Sequence, residues 1–189
     1  MQITNSTRRW GVITRAIHWV TAGILLWTLG LGIYMTNFVS DPLSQFALTQ
    51  THKSWGFVVF ALAVLRVLWL AVAGKRPTLP GDTPAWQRKA AHASHILLYL
   101  MIFLMPLSGW VMSAAAPIQD LLNIENKVFN VLVLPDPWVP GVAWIETVAW
   151  WVHYISGITL ALVLVAHVGA ALKHHFKDRD DVLKRMTTG

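Results

Sequence analysis

The sequence predicts an all-α membrane protein, a bundle of four transmembrane helices with both termini on the cytoplasmic side. Two observations predict this fold class: the long uncharged stretches of the chain, and the uneven distribution of its Lys and Arg residues. Of the 189 residues, 55% are hydrophobic and 13% are Asp, Glu, Lys or Arg, which is about half of the roughly 25% found in soluble domains. The length suits one domain that covers residues 1–189. The chain has no Cys, which excludes a disulfide scaffold, an iron–sulfur protein and a covalently attached c-type haem.

Four stretches with almost no charge are long enough to cross a membrane. Residues 16–40, 90–119 and 147–172 contain no charged side chain, and residues 54–74 contain only Arg66. About 20 apolar residues cross the hydrocarbon layer as a helix. Helix is required because lipid offers no hydrogen-bond partner to a free backbone group. We predict spans at Ile17–Met35, Trp55–Ala73, His95–Val111 and Trp150–Leu172.

The basic residues predict the orientation of these spans. The N-terminal segment, the loop between spans two and three and the C-terminal segment carry 12 of the 15 Lys and Arg residues. The other side carries only Lys53 and Lys127. Basic loops stay in the cytoplasm, so both termini are predicted to lie there. Arg8 and Arg9 precede an apolar run that is too long for the core of a signal peptide, so we expect the first span to be retained.

The loop after span three, from about Ser113 to Ala149, is long and contains apolar stretches suited to the membrane surface. A lid over the outer end of the bundle is one interpretation of this loop. An interfacial loop without a role is the other.

Two of the eight His residues share one face of the fourth span. His153 and His167 are 14 residues apart, a rotation that is only about 40° short of four turns, with a rise of roughly 21 Å. One metal ion cannot bridge that distance, because metal–nitrogen bonds are about 2 Å long. The fourth span is therefore predicted to contribute one imidazole to each of two sites.

Histidines at matching depths complete these sites. His18 opens span one at the inner side and pairs with His167, and His52 precedes span two at the outer side and pairs with His153. Zinc prefers more protein ligands than two, whereas haem needs only axial ligands. Two noncovalently held haem b groups, each with two His ligands and no open iron position, suit electron transfer. The alternative for each His is a buried, hydrogen-bonded core residue or a residue at the membrane interface.

Three basic residues are candidates for cofactor binding because haem propionates are anionic. Arg15 lies one turn before His18, Lys53 follows His52, and Arg66 lies inside span two. Extension of the side chain to the membrane surface explains Arg15 and Lys53 equally well. A charge within a span should face the core or a polar group, which favours a role for Arg66.

The remaining histidines give weaker signals. His95 lies at the depth of the inner haem, where it would replace a ligand or contact a propionate or a quinone. We assign no role to His92. We expect His174 and His175 at a solvated inner surface beside Lys173.

Short motifs distributed over nearly the whole chain point to one family. They are Arg15-Ala-Ile-His18-Trp19 in span one, Thr51-His52-Lys53 at span two, Ala91-His92-Ala-Ser-His95 and Pro106-Leu-Ser-Gly109 in span three, Trp151-Val-His153 and Ala166-His167 in span four, and the following His174-His175-Phe176. In these motifs the chain resembles the bacterial cytochrome b561 family of four-helix, di-haem cytochromes of the inner membrane. The resemblance implies that His18 and His167 hold the inner haem, and His52 and His153 the outer haem.

The resemblance also implies an oxidoreductase that passes electrons from a periplasmic donor to ubiquinone. Some members of the family resemble a superoxide oxidase, so superoxide is a candidate donor, and Lys53 and Lys127 are placed to attract this anion. An anchor and electron relay for a partner dehydrogenase or hydrogenase is the first alternative. A metal-ion transporter or a structural membrane protein is the second. The expected partners are membrane lipid, quinone, and either superoxide or a redox protein, and no nucleic acid.

Overall fold

The computed structural model describes residues 2–81, 83–136 and 140–188. The elements in chain order are α1 Val12–Asn37, α2 Pro42–Val72, α3 Ala85–Ala115, α4 Pro117–Leu122, β1 Asn126–Val128, β2 Leu132–Leu134, α5 Ala143–Lys173 and α6 Val182–Thr187, with a π-helical turn His174–Asp178 between the last two. Within the described residues, α1, α2, α3 and α5 are long and apolar enough to cross a membrane. The predicted four-helix membrane architecture is confirmed.

The long helices extend beyond the predicted spans, most of all at the start of α2. Pro42 occupies the first turn of α2, and the Asp41 carboxylate accepts a hydrogen bond of 2.8 Å from the Ser44 amide. This N-cap begins the helix well before the apolar stretch does, because Pro and Asp favour a helix start regardless of hydropathy. His52, which the sequence placed just before the predicted second span, therefore lies within α2.

The four long helices pack around one apolar core. α3 packs against α5, α1 against α2, and α2 against α3. The buried apolar side chains that meet there are Leu25, Val59, Ala63, Met101, Ile102 and Leu160. Large apolar side chains also face outward, such as Leu162 and Val165, which are 67% and 73% exposed. Outward apolar surface on all long helices is what a lipid environment permits.

Both ends of the chain meet at one end of the bundle, which we call the inner end. The C-terminal helix α6 lies against α1, where the Arg15 guanidinium donates to the Thr187 carbonyl at 2.8 Å and the Trp19 indole donates to the Met186 carbonyl at 2.8 Å. Arg185 also donates to the carbonyl of Thr78, in the loop after α2, at 2.7 Å. This placement agrees with the predicted position of both termini on one side.

The outer loop is folded, and we call residues 116–136 the outer lid. It contains α4 and an antiparallel hairpin in which Lys127 pairs with Val133. Phe129 and Asn130 turn the hairpin with positive φ angles of 48° and 59°. Asn126, the first residue of β1, is fully buried, and its side-chain oxygen accepts a hydrogen bond from the Ser113 hydroxyl of α3 at 2.8 Å. The sequence indicated a lid or an interfacial loop without a role, and it did not predict this helix and hairpin.

Candidate cofactor sites

The outer site brings two imidazoles together from different helices. His52 of α2 and His153 of α5 have ring centroids 6.2 Å apart, and their planes meet at 78°. They lie near the end of the bundle that carries the outer lid, since Ser54, two residues after His52, is hydrogen-bonded to the lid. The structure therefore places His52 near His153, the partner that the sequence predicted from the depth of the two residues in the membrane.

The hydrogen bonds of His153 determine which ring nitrogen is free. Nδ1 of His153 lies 3.0 Å from the carbonyl oxygen of Met105 and 3.3 Å from Oγ of Ser108. A carbonyl only accepts, so Nδ1 carries the proton and donates it to Met105. A neutral His153 then has its lone pair on Nε2, which is the arrangement typical of a metal-ligating His.

Each outer imidazole lies against a glycine of a neighbouring helix. A Cβ atom added to Gly109 would lie 3.1 Å from Cε1 of His153, and one added to Gly32 would lie 3.1 Å from Cε1 of His52. Both contacts are tighter than side chains normally make, so glycine is what lets the rings approach the helix backbone. Nδ1 of His52 is buried and has no hydrogen bond of good geometry among the described residues.

The inner site contains three imidazoles. His18 of α1 and His167 of α5 have ring centroids 6.4 Å apart, with planes at 56°. His95 of α3 is 5.3 Å from His167, with planes at 82°. Nδ1 of His95 donates to the carbonyl of Ala91, one turn earlier on its own helix, at 2.6 Å. The structure thus brings His95 to the inner pair, as its depth in the sequence predicted.

Arg66 of α2 links the inner site to an aromatic side chain. Its Nη2 lies 3.2 Å from Nδ1 of His18, and its Nε donates to the Tyr99 hydroxyl at 2.8 Å. A guanidinium only donates, so Nδ1 of His18 accepts in this arrangement. The sequence analysis missed Tyr99. Its position one helical turn after His95 puts both on the same face of α3, a spacing that would have identified it.

The inner imidazoles line a partly open cavity of about 70 Å³. His18, His95, His167 and Arg66 contribute its polar groups. The rest of the lining is mainly apolar and includes Leu25, Leu98, Ile102 and Leu164. An apolar cavity with a few convergent polar groups is the usual form of a cofactor site.

Both His pairs have the spacing that a central iron requires. With metal–nitrogen bonds of about 2 Å and about 1 Å from a ring nitrogen to the ring centre, two axial imidazoles have centres about 6 Å apart. The separations of 6.4 Å for His18 with His167 and 6.2 Å for His52 with His153 match this value. The separation of 5.3 Å between His95 and His167 is shorter. The residues present therefore fit haem at two places.

Comparison with known proteins identifies the family. The family model for prokaryotic cytochrome b561 matches residues 9–189. This chain belongs to the prokaryotic cytochrome b561 family. It is 34% identical to "Cytochrome b561 homolog 2" of Escherichia coli (strain K12) over 188 residues, which cover 98% of this chain and 95% of the relative. It is 28% identical to "Cytochrome b561 homolog 1" of the same organism over 171 residues, 90% of this chain and 92% of the relative.

Membership of the family makes the protein a membrane cytochrome b that binds haem b and transfers electrons. The four long apolar helices agree with a multi-pass membrane protein. The resemblance to this family that the sequence motifs indicated is therefore confirmed.

Two of the predicted cofactor-binding side chains of this cytochrome b561 have other surroundings. Arg15 does not line the inner cavity, and it donates to the Thr187 carbonyl instead. Lys53 is partly buried beside His52, and no carboxylate of the described residues lies within ion-pair distance of its Nζ. Lys127, by contrast, forms an ion pair of 2.7 Å with Glu125.

The histidines at the end of α5 have a structural setting. Nδ1 of His174 lies 2.5 Å from Oδ2 of Asp180 and 3.4 Å from Oδ2 of Asp178, and Lys173 contacts Asp178 at 2.5 Å. These contacts connect α5 to the turn that leads into α6. His174 is only 16% exposed, so the expectation of a solvated side chain is wrong for this residue, because the turn folds back over it.

Proposed function

We propose that this cytochrome b561 holds two haem b groups and passes electrons from a donor on the periplasmic side of the inner membrane to ubiquinone. His18 and His167 would hold the inner group, and His52 and His153 would hold the outer group. The observation that carries the proposal is the equal separation, 6.4 Å and 6.2 Å, of two imidazole pairs that share α5. Bound between two imidazoles, haem b supplies a one-electron carrier without an open iron position.

The side chains of the outer site prepare it for this role. The Met105 carbonyl orients His153 and fixes its proton on Nδ1. Gly32 and Gly109 let the two rings stand against the helix backbones, which restricts their rotation. Lys53 supplies a positive charge beside His52 with no ion-pair partner among the described residues.

Arg66 has a different role at the inner site. While Arg66 donates to Nδ1, a neutral His18 carries its proton on Nε2. Ligation through Nε2 therefore requires Arg66 to release Nδ1. Its guanidinium is then available to an anionic group of the cofactor, while its bond to Tyr99 holds the arginine at the cavity.

The decisive experiment measures the haem content of the purified protein and of two single variants. We expect two haem b per chain, with one remaining in His153→Ala and the other remaining in His167→Ala. His92→Ala is the matched control, because His92 is exposed on the same bundle and should keep both. Full haem content in both ligand variants would overturn the assignment of His153 and His167 as ligands. A colourless wild-type protein would overturn the whole proposal and leave the transporter alternative.

The donor is tested separately by superoxide-driven haem reduction. A positive charge at the outer site attracts the anion, so Lys53→Glu should slow reduction. Lys127→Glu should have a smaller effect, because Glu125 already neutralises Lys127. An unchanged rate in Lys53→Glu argues against steering by Lys53. Ubiquinone reduction by the purified chain alone argues against the relay-subunit alternative.

A further inference from the structure

The outer lid buries two polar side chains and exposes several large apolar ones. Asn126 and Gln119 are 0% and 8% exposed. Val131, Leu121 and Leu132 are 88%, 75% and 57% exposed. Water selects the opposite distribution, and exposed apolar clusters on soluble surfaces are rare. The lid was therefore not built to face water on this side.

We propose that the apolar side of the outer lid lies in the headgroup and upper acyl region of the outer lipid leaflet. We use the name lid face for the exposed large apolar side chains of α4 and the hairpin, which are Ile118, Leu121, Leu122, Val131, Leu132 and Val133. Its occupant is phospholipid. The inference does not depend on the number of haems or on the donor.

Continuity with the lipid-facing surface of the bundle is the first reason. The Phe129 ring at the hairpin turn packs edge-on against the Trp55 ring of α2, with centroids 5.1 Å apart. Trp side chains concentrate at the membrane–water boundary. Trp144 and Trp151, in the outer part of α5, are also exposed, at 69% and 52%. The hairpin therefore begins at the level where an aromatic belt would lie.

The charged side chains of the lid indicate how deeply the lid lies in the membrane. Glu125 and Lys127 form a partly exposed ion pair at the base of the hairpin, and Asp120 is exposed on α4. A two-stranded hairpin also leaves backbone groups at its edges unpaired, which the hydrocarbon core does not permit. An amphipathic element of this kind lies in the interface plane and does not cross the membrane.

The attachment of the lid gives this contact a consequence for the outer site. Oγ of Ser54 accepts a hydrogen bond from the Phe129 amide at 2.9 Å, and it lies 3.3 Å from the Lys127 carbonyl. Ser54 follows His52 by two residues on α2. A lid held in the interface therefore keeps the outer imidazole pair at a constant depth below the membrane surface.

The absence of native Cys permits a direct test by single labelling. Val131→Cys and Leu121→Cys are labelled with a fluorophore, and the protein is reconstituted in phosphatidylethanolamine–phosphatidylglycerol vesicles that contain a lipid with a nitroxide at carbon 5. Leu162→Cys, on the lipid-facing side of α5, is the membrane control, and Lys75→Cys, in an exposed loop, is the aqueous control. We expect lid-face labels to be quenched about threefold more than the Lys75→Cys label.

Each outcome has a distinct meaning, provided that every variant keeps the wild-type haem spectrum. Quenching close to that of Leu162→Cys supports the proposal. Quenching equal to that of Lys75→Cys, together with access of a water-soluble quencher, overturns it and leaves the lid face for a soluble partner. Contact with a second copy of the chain is detected on Val131→Cys that carries a nitroxide label in place of the fluorophore. Weak quenching of the fluorophore, together with spin–spin broadening between such nitroxides, also overturns the proposal in favour of that contact.

Discussion

The carbonyl oxygen of Met105 lies 3.0 Å from Nδ1 of His153, and Gly109, one helical turn later on α3, faces the same imidazole ring. The acceptor and the space that the ring needs are thus supplied by one face of one helix. Gly32 of α1 gives His52 a similar space. The outer imidazoles are therefore oriented by backbone atoms and glycines, which side-chain mutations elsewhere leave unchanged.

Gly109→Ala should weaken the outer site. The added methyl group would lie 3.1 Å from Cε1 of His153 and 3.2 Å from its Nδ1, so the ring must move. Overpacking of this kind costs about 1–3 kcal/mol. We expect reduced occupancy of the outer haem, measured as haem per chain, and an altered low-temperature absorption band. Gly30→Ala is the control, because a Cβ there meets no atom within 4 Å. Equal haem contents in the two variants would contradict a positioning role.

His18→Ala should remove the inner haem, while His95→Ala should keep both haems. The basis is the ring separation from His167, which is 6.4 Å for His18 and 5.3 Å for His95, against the roughly 6 Å of an axial pair. Haem stoichiometry of the purified variants decides the question. Loss of the inner haem in His95→Ala, with retention in His18→Ala, would make His95 the ligand.

Arg66→Gln should lower the midpoint potential of the inner haem and leave that of the outer haem unchanged. A nearby positive charge favours the reduced, more negative state, and its removal therefore disfavours reduction. We expect a shift of tens of millivolts, given that about 59 mV corresponds to a tenfold change for one electron. Potentiometric titration resolves the two components. Tyr99→Phe removes only the hydroxyl that holds Arg66, so it should shift the inner potential less. A shift of both components by the same amount would show a general disturbance instead.

Ser54→Ala should loosen the outer lid. The substitution removes the acceptor that lies 2.9 Å from the partly buried Phe129 amide, at a local cost of about 0.5–1.5 kcal/mol. Hydrogen exchange at Phe129 and cleavage of the lid by protease should both become faster. Thr147→Ala is the control, because its hydroxyl donates only to the Ala143 carbonyl of its own helix. Unchanged exchange at Phe129 would show that the lid is held by other contacts.

The sequence predicted the histidine pairs because helix geometry relates His153 to His167, one member of each pair. Fourteen residues separate His153 from His167, and this spacing fixes their common face and their difference in depth before any packing is considered. Their partners His18 and His52 then follow from depth. His52 lies within α2 although it precedes the predicted span, because hydropathy does not register the helix start at Asp41 and Pro42.

The rest depended on contacts between distant parts of the chain. Arg15 meets Thr187 across 172 residues, and Ser54 meets Phe129 across 75. Neither local propensity nor hydropathy encodes such pairs. The buried Asn126 is a further example. A polar side chain is expected to be exposed, and only the structure shows that Ser113 donates a hydrogen bond to Asn126 in the interior. The lid fold and the position of Arg15 therefore required the structure.

The last long helix contributes one histidine to each pair, since His153 and His167 both belong to α5. A nascent chain that has inserted only its first three long helices presents His52 without His153 at the outer level, and His18 and His95 without His167 at the inner level. If the proposed ligands are correct, neither haem can be bound by both of its histidines until α5 has been synthesised. Maturation of the two centres is thus coupled, and a polypeptide truncated before residue 143 should accumulate as an unpigmented apoprotein.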